Sequence, residues 1–312
     1  EPLQLMGAII KSQSGNLPLN IFTSKLKNIN YEIKVPSAQV KSGIILAALN
    51  TSGKTIINET NITRDHTEIM LKSFGSNIQI EKKFNVNKIT VEGNIELKSK
   101  NLSIPSDLSS ASFFIIAALI NKNSNIYLKN ININPSRDGI LKALKKMGAK
   151  ILLSKKRLVN EEVVADLNII TSKLNGCELD EDMSKLMIDE YPILAIAASF
   201  ANSPSIFRGL KELRVKESDR LNLIQTNLNK CGVNCKINND DLYIYPKKQF
   251  KVTDNIIKTN FDHRIAMSFA VMGSAIHTDL KIEDSDSIKT SFPNFIDIFN
   301  KSGGNLKNQI AE

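Results

Sequence analysis

The chain has 312 residues, 42% hydrophobic and 23% charged, with a net charge of +9, a length suited to about two domains with a sizeable core. Its longest apolar runs fall short of the ~20 residues that a membrane-spanning helix needs, and its lysines lie scattered among Asn and Ile with no basic tract or interleaved aromatics. No membrane and no nucleic-acid partner is expected, while the positive field suits small anionic substrates. Cys177, Cys231 and Cys235 fit neither a disulfide framework nor a four-ligand metal set, so a reducing cytoplasm and no metal are expected.

The opening EPLQLMG reads as the tail of an amphipathic helix, so the chain is expected to start mid-domain. KSQSGN at Lys11 to Asn16 then reads as a turn joining two strands. From there one pattern recurs four times. PSAQVKSGIILAAL, PSDLSSASFFIIAALI, DEYPILAIAASFA and FDHRIAMSFAVMG each begin polar and run on as apolar helices rich in small residues. Strand-like KTIINE, SNIYLKN, PSIFRG and DLKIED follow them in turn, and each strand leads to a second, amphipathic helix closed by Gly. The closing glycines are Gly7, Gly75, Gly148, Gly232 and Gly303, where a left-handed helix end suits Gly. Alternating runs such as AKILLS and VNCKINNDDLYIYP come next, the latter with Asn-Asp-Asp as a hairpin turn. The predicted unit is an α/β repeat of two helices and about four short strands. Its first helix lacks a polar face and is expected to be buried all round.

Polar residues gather ahead of these helices: Ser37 and Gln39; Arg64, Asp65 and His66; Asp189 and Glu190; Lys216, Glu217 and Arg220; Asp262, His263 and Arg264. Singly they have structural roles, with Ser37 as an N-cap, Asp65 and Glu68 at capping-box spacing, and Asp219 paired with Arg214 or Lys216. His66 and His263 read, by themselves, as hydrogen-bonded structural histidines. Cations are different, because Lys or Arg at a helix start opposes the dipole by up to about 1 kcal/mol. That cost repeated at Arg64, Arg220 and Arg264 points to an anion among them, since Arg forks suit phosphate and carboxylate. Asp189 and Glu217 are then the candidate acid and base groups.

PSAQVKS, RDHTE, PSDLSSASFF, DEYPILAIAASFA, LRVKESDRL, DHRIAM and TSFPNF occur in that order over essentially the whole chain. Together they resemble the 5-enolpyruvylshikimate-3-phosphate synthases, also called 3-phosphoshikimate 1-carboxyvinyltransferases. The resemblance implies an α/β (α+β), two-lobed enolpyruvyltransferase fold of repeated βαβαββ subdomains, with lobes over 1–104 and 105–312. It implies transfer of the enolpyruvyl group of phosphoenolpyruvate to the 5-hydroxyl of shikimate 3-phosphate. Phosphate leaves through a tetrahedral addition-elimination intermediate, on the shikimate route to chorismate and the aromatic amino acids. No metal or organic cofactor is implied, and the expected state is a cytoplasmic monomer.

Carried over by motif, Asp189 accepts the proton of the attacking hydroxyl and Glu217 serves the phosphoenolpyruvate methylene. Ser37, Gln39, Arg64, Asp189 and Lys216 are the implied contacts of shikimate 3-phosphate. Gln39, Arg220, His263 and Arg264 are those of phosphoenolpyruvate, with Lys289 added one residue away from the family's position. The family's Lys-Ser-x-Ser-x-Arg helix start has no match, since KSQSGN lacks the Arg. The chain thus resembles about the last three quarters of the enzyme, with an incomplete first lobe and little activity expected of it alone. The alternatives are a related enolpyruvyltransferase acting on a UDP-sugar and a non-catalytic anion-binding fragment.

Overall fold

The computed structural model describes residues 1–83 and 86–307. The chain divides into two compact units, Glu1–Ile104 with Leu158–Glu162, and Pro105–Arg157 with the residues from Val163 onward.

In the first unit a short α1 (Pro2–Leu5) leads to the hairpin of β1 (Ile9–Gln13) and β2 (Asn16–Phe22). This hairpin turns at Ser14 and Gly15, both at positive φ, so KSQSGN is the strand turn its sequence predicted. Next come β3 (Asn30–Glu32), α2 (Ala38–Ala48), β4 (Lys54–Glu59), α3 (His66–Ser73), β5 (Ile78–Lys83) and β6 (Val86–Glu92). Their sheet has the order β3-β4-β6-β5. β3 and β4 are parallel because a helix carries the chain between them, and the β5 and β6 hairpin is antiparallel. Alternation places Ile57 opposite Ile89, and both are buried with Ile44, Ile45 and Ala48 of α2 and Leu71 of α3.

The second unit repeats this plan. α4 (Leu108–Ile120), β7 (Asn125–Asn132), α5 (Gly139–Lys146), β8 (Lys150–Val159) and β9 (Glu162–Ile170) form the order β7-β9-β8. A parallel bridge from Ser106 to Ile131 stands where the first strand of the repeat would be. β10 (Glu178–Leu179), α6 (Glu181–Met187), α7 (Tyr191–Ser199), β11 (Ser205–Phe207), α8 (Arg220–Lys230), β12 (Asn234–Asn238) and β13 (Asp241–Tyr245) reproduce the four-stranded order as β10-β11-β13-β12. Asn239 and Asp240 make the predicted hairpin turn between β12 and β13, with Asn239 at positive φ. The parallel pair of β14 (Ile256–Ile257) and β15 (Lys281–Ile282), with α9 (His263–Gly273) and α10 (Phe295–Lys301), completes the described part.

All five closing glycines have positive φ, from 82° at Gly148 to 102° at Gly303. At Gly232 the constraint is double, because a Cβ would also lie 2.5 Å from the Lys251 carbonyl oxygen. Gly232→Ala is expected to cost about 1–3 kcal/mol of stability in urea denaturation. A loss below about 0.5 kcal/mol would show that the Lys251 backbone gives way freely.

All-round burial of the first helices holds for α4, α7 and α9, which pack on one another in the second unit. It fails for α2, where Val40 and Leu46 stay 39% and 50% exposed. α2 packs on α1, α3, β4 and β6, and no second apolar helix covers its outer face among the described residues of its unit. The capping box also fails. Asp65 makes no side-chain cap bond, and Glu68 turns inward to Lys41 at 2.9 Å because burying a charge demands a counter-charge. The three cysteines are free and buried, and burial pushes the Cys231 and Cys235 thiols up to about 12. Among the described residues no helix is long and apolar enough to cross a membrane.

Candidate active site

The starts of α4, α7, α8 and α9 meet in the second unit, α4 through Ser109 in its first turn. Asp262 caps α9 by accepting from the Arg264 and Ile265 amides, and Asp219 caps α8 by accepting from the Asn222 amide. α7 begins with Pro192 in its first turn, where a missing N–H costs nothing. The tight 3₁₀ turn Ile188–Glu190 joins α6 to it. This turn sends two neighbouring carboxylates to different environments, with Asp189 partly open and Glu190 fully buried.

Arg220 lies at the centre and is wholly buried. Its Nε donates to Asp262 Oδ2 at 2.8 Å, and its Nη1 to Asp189 Oδ1 at 3.4 Å. Nη2 forms an ion pair with Glu217 Oε2 at 2.6 Å. Burial alone would raise the Asp262 carboxyl. The Arg220 guanidinium, the Ser218 hydroxyl and the Arg264 amide outweigh that and hold it below the ordinary range.

A second guanidinium, Arg264, donates through Nη1 to Ser109 Oγ at 2.8 Å and to the Asp189 carbonyl at 3.1 Å. The buried Glu190 gathers the same groups. Its Oε1 accepts from Ser109 Oγ and from Arg137 Nη2 at 3.3 Å, and it stands 3.8 Å from Arg264 Nη1. Lys216 pairs with Glu212 and lies 3.6 Å from Asp189 Oδ1, while Glu217 is 50% exposed. His263 is pulled below the ordinary histidine value by burial first and then by the Arg264 charge, against smaller opposing pulls from Asp262 and Glu217. Both effects favour the neutral imidazole.

Asp189, Lys216, Glu217, Arg220 and Arg264 thus form one network, with His263 adjoining at the start of α9. The dipole argument for a missing anion is corrected by this geometry. Arg220 is compensated by Asp262 and Arg264 by Glu190, so the cost at those helix starts is offset inside the protein. Four cations, Arg137, Lys216, Arg220 and Arg264, face four carboxylates, Asp189, Glu190, Glu217 and Asp262.

Lys289 does not join them. It is 68% exposed and paired with Asp286 at 2.6 Å, and it lines a recess beside Asn121 and Ser274 at the opposite ends of α4 and α9. It lies in the 3₁₀ turn Ser285–Thr290. Arg214 and Asp219 pair with each other at 3.5 Å, as expected for structural groups.

Within the first unit Ser37 caps α2, its Oγ accepting from the Val40 amide at 3.3 Å. Gln39 is exposed in the first turn of that helix, and Arg64 is half-buried just ahead of α3. Sequence reasoning assigned no site role to Ser109, Arg137 or Glu190. The only local signal was the adjacency of Glu190 to Asp189; Arg137 sits in an ordinary turn, NPSRDG.

The family model for EPSP synthase (3-phosphoshikimate 1-carboxyvinyltransferase) matches residues 1–299. A 3-phosphoshikimate 1-carboxyvinyltransferase of Vesicomyosocius okutanii subsp. Calyptogena okutanii is 43% identical over 306 residues, which is 98% of this chain and 69% of that protein. One from Paramagnetospirillum magneticum is 43% identical over 309 residues, with the same two shares. Among solved structures, EPSP synthase from Acinetobacter baumannii superposes with a TM-score of 0.88 at 38% identity, covering 99% of this chain and 71% of that one. The enolpyruvyl transferase NikO from Streptomyces tendae, at 13% identity and a TM-score of 0.75, covers 100% of this chain and 72% of that one and shares the fold. With a family model matched over nearly its whole length and relatives at this level of identity, the chain belongs to the EPSP synthase (3-phosphoshikimate 1-carboxyvinyltransferase) family.

Proposed function

We propose that this chain serves the transfer of the enolpyruvyl group of phosphoenolpyruvate to the 5-hydroxyl of shikimate 3-phosphate with release of phosphate, and that by itself it turns over slowly. Family membership supports the reaction class, and one observation carries the site. Asp189 stands between Lys216 and Arg220, with Glu217 on the outer nitrogen of Arg220. Asp189 takes the proton of the attacking hydroxyl as its oxygen bonds to the central carbon of phosphoenolpyruvate. Glu217, released from Arg220 and carrying a proton, delivers it to the methylene carbon in that step and takes one back as the C–O bond to phosphate breaks, and the departing phosphate takes up the proton held by Asp189. Ser37, Gln39, Arg64 and Lys216 hold shikimate 3-phosphate. Arg220, Arg264 and Gln39 hold the anionic groups of phosphoenolpyruvate, with His263 as a neutral hydrogen-bonding neighbour.

Because the cations of the second unit are already matched by carboxylates, substrate binding is an exchange of partners. Lys216 leaves Glu212, and Arg220 turns its Nη2 from Glu217 to the ligand. Donors fixed beforehand by buried carboxylates need little reorganisation when charge develops on the intermediate. We assign the lobes to 1–104 and 105–312 and read the enzyme as a cytoplasmic monomer. Phosphate release measured with phosphoenolpyruvate and each acceptor tests the reading. Release is expected with shikimate 3-phosphate and not with a UDP-N-acetyl sugar; the reverse would replace it, and heat of binding without any release would leave an anion-binding protein.

A further inference from the structure

The first unit contains a buried ionic cluster that the reaction as proposed does not use. Lys41 lies on α2, four residues after Ser37, and its side chain is only 1% exposed. Its ammonium is 3.2 Å from Glu59 Oε1 and 2.9 Å from Glu68 Oε1, both carboxylates being buried. Glu59 ends β4 and reaches forward, its Oε1 accepting from the Thr63 amide at 2.8 Å and from the Thr63 hydroxyl at 2.5 Å. Glu68 lies in the first turn of α3 with its Oε2 buried and unpartnered. Residues 60–65 have no regular backbone structure, and the Glu59 contacts to Thr63 fix the chain immediately ahead of Arg64.

Such a cluster is a poor choice for stability alone. Removing three charges from water costs several kcal/mol per ion, and apolar residues of similar volume commonly do as well or better. Its location suggests another use. On one side it is tied to the helix turn bearing Ser37 and Gln39, and on the other to the two points that flank Arg64, Thr63 and Glu68. We infer that Lys41 is a positioning residue for the acceptor, its ammonium locking the Ser37 and Gln39 helix start to the Arg64 segment through Glu59 and Glu68. The inference rests on the reading that Arg64 binds shikimate 3-phosphate. Losing Lys41 takes from Glu59 and Glu68 the ammonium they share; burial already raises the Glu68 carboxyl against the pull of Lys41, so without Lys41 the tie between the two segments is lost.

The test is calorimetric binding of shikimate 3-phosphate to the full chain for Arg64→Ala, Lys41→Met, Thr63→Val and the double variant Lys41→Met/Arg64→Ala. Lys41→Met is expected to weaken binding about tenfold and Thr63→Val about threefold, and the double variant to bind no more weakly than Arg64→Ala alone, because groups acting through one contact are non-additive. A purely structural Lys41 gives additive losses, which overturns the inference. So does Lys41→Met binding within twofold of the parent when Arg64→Ala does not. If Lys41→Met fails to fold, Thr63→Val decides alone, and unchanged binding overturns the positioning role. Unchanged binding by Arg64→Ala refutes the underlying reading instead.

Discussion

Replacing Asp189 with asparagine is expected to lower turnover about 10²-fold or more while the affinity for shikimate 3-phosphate changes by less than about tenfold. Asparagine keeps the size of the side chain and an oxygen for Arg220 Nη1, now 3.4 Å away, but cannot take a proton from the attacking hydroxyl. The Asp189 backbone carbonyl that holds Arg264 at 3.1 Å is untouched, so the donor-binding side should persist. Single-turnover phosphate release beside calorimetric binding separates the two quantities. Turnover within a factor of about three of the parent would remove Asp189 from the role of base and leave Glu217 as the remaining candidate. A collapse of affinity matching the loss of turnover would make Asp189 an electrostatic anchor for Lys216 and Arg220.

Arg220→Met is expected to give the largest loss of stability, about 3–5 kcal/mol in urea denaturation, because it leaves the buried Asp262 carboxylate without its counter-charge. Adding Asp262→Asn should recover a large part of that loss. Asparagine is also a good N-cap for α9, and with no charge left to compensate, the double variant should exceed the additive expectation by more than about 1 kcal/mol. An Arg220→Met loss below about 1 kcal/mol would show that Asp262 is matched by Ser218 and the α9 amides alone. The same pair sets a pH dependence. Asp262 titrates below its unfolded value in the folded protein, so its contribution is fully present above the ordinary aspartate value near 3.9. It fades as pH falls from there through the lower folded value. In the Arg220→Met variant that acid limb should flatten.

The fold was legible because it repeats. The apolar helices are marked by small residues, their amphipathic partners by one-sided charge, and the ends of the latter by glycines that all proved to have positive φ. What failed was local inference about partners. Asp65 and Glu68 have capping-box spacing, yet Glu68 is drawn to Lys41, a residue 27 positions earlier on another helix. Val40 and Leu46 read as core and are exposed, because coverage of α2 depends on which elements pack beside it. Lys289 looked one residue out of place, and its side chain stands in solvent beside Asp286.

Sequence by itself determined the α/β repeat, the positions of the helix starts and the cluster of charged residues at them, because periodicity, capping chemistry and Gly conformation act over a few neighbouring residues. Only the tertiary structure decided which charges neutralise one another. That Arg220 is wholly buried on Asp262, that Glu190 draws in Arg137 and Arg264, and that Lys41 bridges Glu59 and Glu68 all depend on groups brought together from distant segments. The balance between desolvation and pairing exists only once the chain has folded.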